Sequence, residues 1–219
     1  MTTAVLKKYK LVIFDWDGTV MDSISKIVNC IRHSALALNI EPPSDTAIKN
    51  IIGMSLELAI EVLFPNEVAQ HPALINGYKQ QYRVDTTATP VFDNVENVLS
   101  ALKAQGVILA IATGKGRDGL MRLLEQTQLG LYFSATRTSD EARSKPSPDM
   151  LEQLLAELAI NADEALMIGD TKIDMAMAQA ANIDRIGVTM GVHSAAQLSE
   201  FSPVATVDNY QQLQRILLG

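Results

Sequence analysis

Apolar and polar positions follow two different rhythms along this chain. Five short runs, Leu11–Phe14, Val107–Ala112, Ala165–Ile168, Arg185–Val188 and the weaker Pro203–Val207, are rich in Val, Ile and Leu and nearly continuous. Continuous apolar runs of this length mark strands covered on both faces. Between them the apolar positions return at helical spacing. In 94–105, Val95, Val98, Leu99 and Leu102 fall on one face and Gly106 follows as a stop; 149–158 and 174–181 behave alike. Strand and helix in alternation predict an α/β fold, a doubly wound (Rossmann-like) parallel sheet with helices on both faces. One region breaks the rhythm. Helices are predicted over 24–38, 45–51, 55–64 and 67–83, interrupted at Pro42–Pro43–Ser44 and Pro65–Asn66, with no strand among them. That is too much helix for one crossover, so 20–89 reads as an inserted helical subdomain in a core of 1–19 and 90–219.

Ligands of such sheets bind beyond the carboxyl ends of the strands, which directs attention to three short strings. Asp15-Trp16-Asp17-Gly18-Thr19 follows the first run, Thr113-Gly114-Lys115 the second, and Gly169-Asp170-Thr171-Lys172-Ile173-Asp174 the third. If strand geometry continues past Phe14, Asp15 and Asp17 share one side while Trp16 points away. Two carboxylates held together suit a site where one is ionised and the other holds a proton. Asp170 from a neighbouring strand would make the site rich in oxygen, which favours Mg²⁺ where no His or Cys cluster is present. Asp174 lies one helical turn further on. Each residue taken singly has a plainer reading: Asp15 or Asp17 as a turn residue, Asp170 as a helix N-cap, Lys145 as a surface lysine.

Composition narrows the field. The chain has 219 residues, 47% of them hydrophobic and 20% charged, with a formal net charge of −7. A buried core follows, and nucleic acid or an anionic membrane is disfavoured as a partner. The single cysteine, Cys30, excludes an internal disulfide and a multi-thiolate zinc site. No charged-then-apolar signal opens the chain, since Lys7 follows Val5–Leu6 at once, and no apolar stretch approaches the ~18 residues of a membrane span. A cytoplasmic protein, monomeric or homodimeric, is expected.

The strings also resemble a known family. DWDGTVMDS at 15–23, Thr113 after VILAIA, Lys145 in SKPSPDML and GDTKID at 169–174 are similar, in order and spacing, to the four motifs of the haloacid dehalogenase superfamily. The helical insert sits where that superfamily carries its first type of cap, and the phosphoglycolate-phosphatase-like subgroup is the nearest in pattern. The resemblance implies a Mg²⁺-dependent phosphatase acting on a small phosphorylated metabolite. Asp15 would be the nucleophile that forms an aspartyl-phosphate, and Asp17 the acid and then the base. Thr113, the Gly114 amide and Lys145 would hold the phosphoryl group. The Asp15 carboxylate, the Asp17 carbonyl and Asp170 would hold Mg²⁺, with Asp174 orienting a ligand from behind. Ser55 in the Gly53-Met54-Ser55 turn, and Arg83, could face the substrate from the cap; Arg83 could equally be a solvated helix end. Halide displacement is disfavoured because dehalogenase members lack the second acid, here Asp17. For phosphonate cleavage neither Lys26 nor Lys49 has a matching context.

Two rival activities stay in view. Gly114-Lys115-Gly116-Arg117-Asp118-Gly119 is a GxGxxG string after a strand, with Asp140 and Glu141 further on, the context of a dinucleotide-binding oxidoreductase. A phosphoryl-transfer mutase of the β-phosphoglucomutase type would use the same nucleophile as a phosphatase. His33, His71 and His193 are scattered, Cys30 and the methionines at 167, 175 and 177 read as packing, and GxSxG is absent.

Overall fold

A computed structural model describes residues 8–219; the opening Val5–Leu6–Lys7 lies outside them. In chain order the elements are β1 (Leu11–Phe14), α1 (Ile24–Leu36), α2 (Asp45–Asn50), α3 (Leu56–Leu63), α4 (His71–Val84), α5 (Val95–Ala104), β2 (Ile108–Ala112), α6 (Arg117–Thr127), β3 (Ala135–Arg137), α7 (Asp149–Leu158), β4 (Ala165–Gly169), α8 (Lys172–Ala180), β5 (Asp184–Val188), α9 (Ala195–Ser199), β6 (Ala205–Val207) and α10 (Tyr210–Leu218). The strands form one sheet in the order β3-β2-β1-β4-β5-β6, and every pairing is parallel.

Side-chain alternation explains why the central strands are apolar throughout. Val12 and Phe14 of β1, with Leu109, Ile111, Leu166 and Ile168, pack on one face against Val98, Leu99 and Leu102 of α5 and Tyr210, Leu213 and Leu217 of α10. Leu11 and Ile13, with Ala110, Ala112 and Met167, turn to the other face and meet Met150, Leu151 and Leu154 of α7 and Met177 of α8. Both faces are covered, as parallel sheets require. The helices α1–α4 have a third core of their own, built on Ile27, Val28 and Ile31 of α1, Ile48, Ile60 and Leu74.

The sheet order places the site. From β1 the chain goes to β2 and β3 on one side, then crosses back to β4 on the other. The direction of winding therefore reverses between β1 and β4, and a crevice opens at their carboxyl ends. Phe14 pairs with Ile168, so Asp15 and Asp170 emerge at that crevice, from adjacent strands.

Candidate active site

The backbone amide of Asp15 donates to the Ile168 carbonyl at 2.9 Å, which carries the sheet ladder one residue past β1 and holds Asp15 against β4. Beyond it the ladder ends, but the chain turns only at Gly18, which has φ +79°, while Asp17 bridges to Met21. Trp16 falls with Val12 and Phe14 in one core cluster, in keeping with Asp15 and Asp17 sharing the opposite side. Each has its own lysine. Asp15 Oδ1 accepts from Lys145 Nζ at 2.5 Å, and Asp17 Oδ1 is paired with Lys115 Nζ at 2.9 Å while also accepting from Ser23 Oγ. Trp16 does point away, into the core.

Lys145 is fully buried and also donates to Asp174 Oδ1 at 2.7 Å. Burial alone would push its proton affinity down, but Asp15 and Asp174 outweigh that and hold it above its ordinary value. Asp170 accepts from Thr19 Oγ1 at 2.9 Å and from the Val192 amide at 2.8 Å. It is not the cap of α8. That is Thr171, whose hydroxyl accepts from the Asp174 amide at 3.1 Å and donates to Asp174 Oδ2 at 2.6 Å, a capping box. The box holds the Asp174 side chain over the first turn, beside the other two carboxylates rather than behind them. Oxygens of Asp15, Asp170 and Asp174 all lie within 4.8 Å of one another, and all three residues are buried.

Three buried carboxylates against one buried ammonium leave an excess of negative charge that is costly in a dry site. Burial pushes Asp15 up to about 7, with Lys145 opposing and Asp174 adding to the rise. Burial, Asp174 and Asp15 push Asp170 well above the usual carboxylate range. In addition Asp15 Oδ2 is buried without a hydrogen-bond partner. A hard divalent cation answers both the charge and the orphaned oxygen, and an all-oxygen set suits Mg²⁺. Asp15, Asp170 and Asp174 are the side chains able to hold it, while the Asp17 carboxylate is engaged elsewhere.

Thr113, fully buried at the end of β2, accepts from the Lys115 amide at 3.2 Å, which starts the Gly114–Gly116 turn. Ser55 is buried; its hydroxyl caps α3 by accepting from Leu58 N at 3.3 Å, and its amide donates to Ser144 Oγ at 2.8 Å, next to Lys145. This bond ties the helical layer to the loop that carries Lys145. Arg83 is exposed at the end of α4 and lines the cavity between the helices and the sheet.

Several contributors were not singled out by the sequence reading: Ser23, Ser144, Gly191, and Tyr210, which donates from α10 to the Thr19 carbonyl at 3.0 Å. A Cβ at Gly191 would stand 1.9 Å from Asp170 Oδ2, so only glycine lets that loop close over the carboxylate. His193, noted as scattered, lies beside the site, its amide donating to the Asp170 carbonyl at 3.2 Å. The dinucleotide reading loses its anion site. The Arg117 amide at the start of α6 donates to Asp140 Oδ2 at 2.9 Å, and Glu141 pairs with the Arg117 side chain. The acids expected at a ribose instead occupy the helix N-terminus where a pyrophosphate would sit.

A parallel α/β sheet with buried aspartates and a lysine at its switch point, beneath a layer of helices, is an arrangement suited to hydrolytic chemistry through carboxylates. Comparison with known proteins makes this specific. Residues 12–188 match the family model for haloacid dehalogenase-like hydrolase, and the chain belongs to that family, as a phosphoric monoester hydrolase. It is 34% identical over 209 residues to the protein described as probable phosphatase IndB from Dickeya dadantii, covering 93% of this chain and 91% of the relative. With a phosphoglycolate phosphatase from Vibrio cholerae it shares 26% identity over 223 residues, 97% of this chain and 99% of the other. Among solved structures, a haloacid dehalogenase-like hydrolase from Bacteroides fragilis superposes with a TM-score of 0.87 at 26% identity, covering 94% of this chain and all of that one. Among the described residues no helix is long and apolar enough to cross a membrane.

Proposed function

We propose that this enzyme hydrolyses a small phosphomonoester, with 2-phosphoglycolate the favoured substrate, in a Mg²⁺-dependent reaction through a phosphorylated Asp15. The observation that carries the reading is the buried Asp15–Asp170–Asp174 cluster with its single lysine and the unpartnered Asp15 Oδ2. A carboxylate that lacks partners on one oxygen is a nucleophile already stripped of water.

A carboxylate oxygen of Asp15 attacks phosphorus and the ester P–O bond breaks. The departing alkoxide takes a proton from the Asp17 carboxyl. Asp17, now a carboxylate, removes a proton from water; the hydroxide so formed attacks the phosphorus, the bond to Asp15 breaks, and inorganic phosphate leaves with Asp15 restored. The Thr113 hydroxyl and the Gly114 amide hold phosphoryl oxygens, and Lys145 offsets charge gathered at Asp15. The Asp15 and Asp170 carboxylates and the Asp17 carbonyl would hold Mg²⁺, with Asp174 alongside, and the bound ion would supply charge neutralisation at the phosphoryl group. The helices of 20–89 act as a cap that excludes bulk water from the reacting atoms.

Phosphate release from a panel of phosphomonoesters, with Mg²⁺ or with chelator, tests this alongside Asp15→Asn. Metal-dependent release that vanishes in the variant is expected. Substantial release by Asp15→Asn overturns the nucleophile assignment.

A further inference from the structure

The cavity under the helical layer has a volume near 370 Å³, and its walls include Asp17, Gly114 and Lys115 but not Asp15, Lys145 or Asp170. It runs from the Asp17 and Gly114 edge of the site toward the helices of the cap, away from the buried carboxylate cluster, which is the room available to an alcohol whose ester oxygen meets Asp17. Lys26, Lys79, Arg83, Lys115 and Arg122 all reach it, alongside the carboxylates Asp17, Glu57, Asp118 and Asp140, and Lys79 is paired with Glu57. Lys115 stands closest to the chemistry. Its Nζ is 2.9 Å from Asp17 Oδ1, donates to Tyr82 Oη at 3.3 Å and sits 4.7 Å from the centre of the Tyr82 ring. The Lys115 and Asp17 side chains are each only 11% exposed. Tyr82 belongs to α4 of the cap, and Lys26, anchored on the Asp85 carbonyl at 2.8 Å, lies 4.8 Å from the same ring. Cap and core thus meet around one ammonium group.

The geometry sets what that ammonium can touch. An ester oxygen protonated by Asp17 must come within ~2.6–3.2 Å of its carboxyl, and Lys115 is already at that range from the same group. A substituent one or two atoms beyond the ester oxygen falls within contact of Nζ. A lysine is a compact point charge suited to a carboxylate or a phosphate. We propose that Lys115 reads the leaving group, selecting phosphomonoesters whose alcohol carries an anionic group of its own. The inference rests on the phosphatase reading and adds the substrate class and the residue that sets it. Lys145 serves the phosphoryl side and Lys115 the alcohol side.

The test compares kcat/KM for 2-phosphoglycolate, for ethyl phosphate, which keeps the two carbons and lacks the carboxylate, and for fructose 1,6-bisphosphate. It uses the wild type, Lys115→Met and Lys115→Arg, with thermal melts to confirm folding. The wild type should favour an anionic alcohol over ethyl phosphate by about tenfold or more, the scale of one charge-assisted hydrogen bond. Lys115→Met should reduce that preference by about the same factor, chiefly through KM, and Lys115→Arg should restore part of it. Whichever ester shows the larger preference identifies the anion as carboxylate or phosphate. Equal losses on charged and uncharged alcohols overturn the inference alone, because Lys115 then acts through Asp17 or the common phosphoryl group. Absence of release from all three esters by the wild type overturns the phosphatase reading, and the inference with it.

Discussion

Asp15→Asn should make the metal-free protein more stable while removing its activity. The substitution keeps the shape of the side chain and its ability to accept from Lys145, but takes one charge out of a buried cluster of three carboxylates. The proton affinity of Asp15 rises from an ordinary value of 3.8 to about 7 on folding. At ~1.4 kcal/mol for each factor of ten, an ionised Asp15 costs the folded state about 4 kcal/mol once the pH exceeds that value. Between about pH 4 and pH 7 the folded protein holds a proton that the unfolded chain has lost, so wild-type stability falls as pH rises through this window and levels off above it. Asparagine has no such dependence. Thermal melts in EDTA should therefore place Asp15→Asn roughly 8–16 °C above wild type near pH 8, given ~2–4 °C per kcal/mol for a chain of this size. Near pH 5, where the folded protein still holds most of that proton, the advantage should shrink to less than half of its value near pH 8. Added Mg²⁺ should raise the wild type more than the variant, because binding to the folded state alone is stabilising. A variant no more stable than wild type near pH 8, or an advantage that does not change with pH, refutes the charge-excess account of the cluster.

Other predictions bear on separate parts of the site. Gly191→Ala puts a Cβ 1.9 Å from Asp170 Oδ2, so it should lower kcat/KM by roughly 10²-fold through displacement of that carboxylate; activity close to wild type would show that the loop yields without moving Asp170. Asp170→Asn should weaken Mg²⁺ binding in a calorimetric titration, and an unchanged isotherm would remove Asp170 from the metal's ligands. Cys30 is buried and burial pushes its thiol up to about 12, so a thiol reagent should react with it only when the cap opens or the chain unfolds. Fast reaction in native buffer would contradict the packing of α1.

How far the molecule was legible before folding depends on the range of the interactions. β1, β2 and β4 announce themselves because two covered faces demand apolar residues along their length. β5 does so only through its last three residues, and the candidate strings follow because ligands of such sheets gather at strand ends. The edge strand β3 is three residues, Ala135–Arg137, with two of them only half-buried, and offers no apolar run to detect. The buried face of α10, Tyr210, Leu213 and Leu217, has helical spacing, yet α10 was not among the helices expected. Gly191 was not legible, since its role appears only when the chain, having formed β5, returns to Asp170. Pairing Lys115 with Asp17 likewise needs β1 and β2 to lie side by side so that the turns after them meet. The alternation of Asp15, Trp16 and Asp17 was legible because the chain bends only at Gly18; the separate lysine that each carboxylate acquires was not, because both lysines come from distant loops.

The central claim is that Asp15 becomes phosphorylated. Acid quench of the enzyme during turnover of its best phosphomonoester, followed by mass analysis of the peptide carrying Asp15–Ser23, tests it most directly. The account predicts one added phosphoryl group on Asp15, present with Mg²⁺, absent with chelator and absent in Asp15→Asn. Rapid phosphate release with the label on another residue, or continued release by Asp15→Asn, would contradict it.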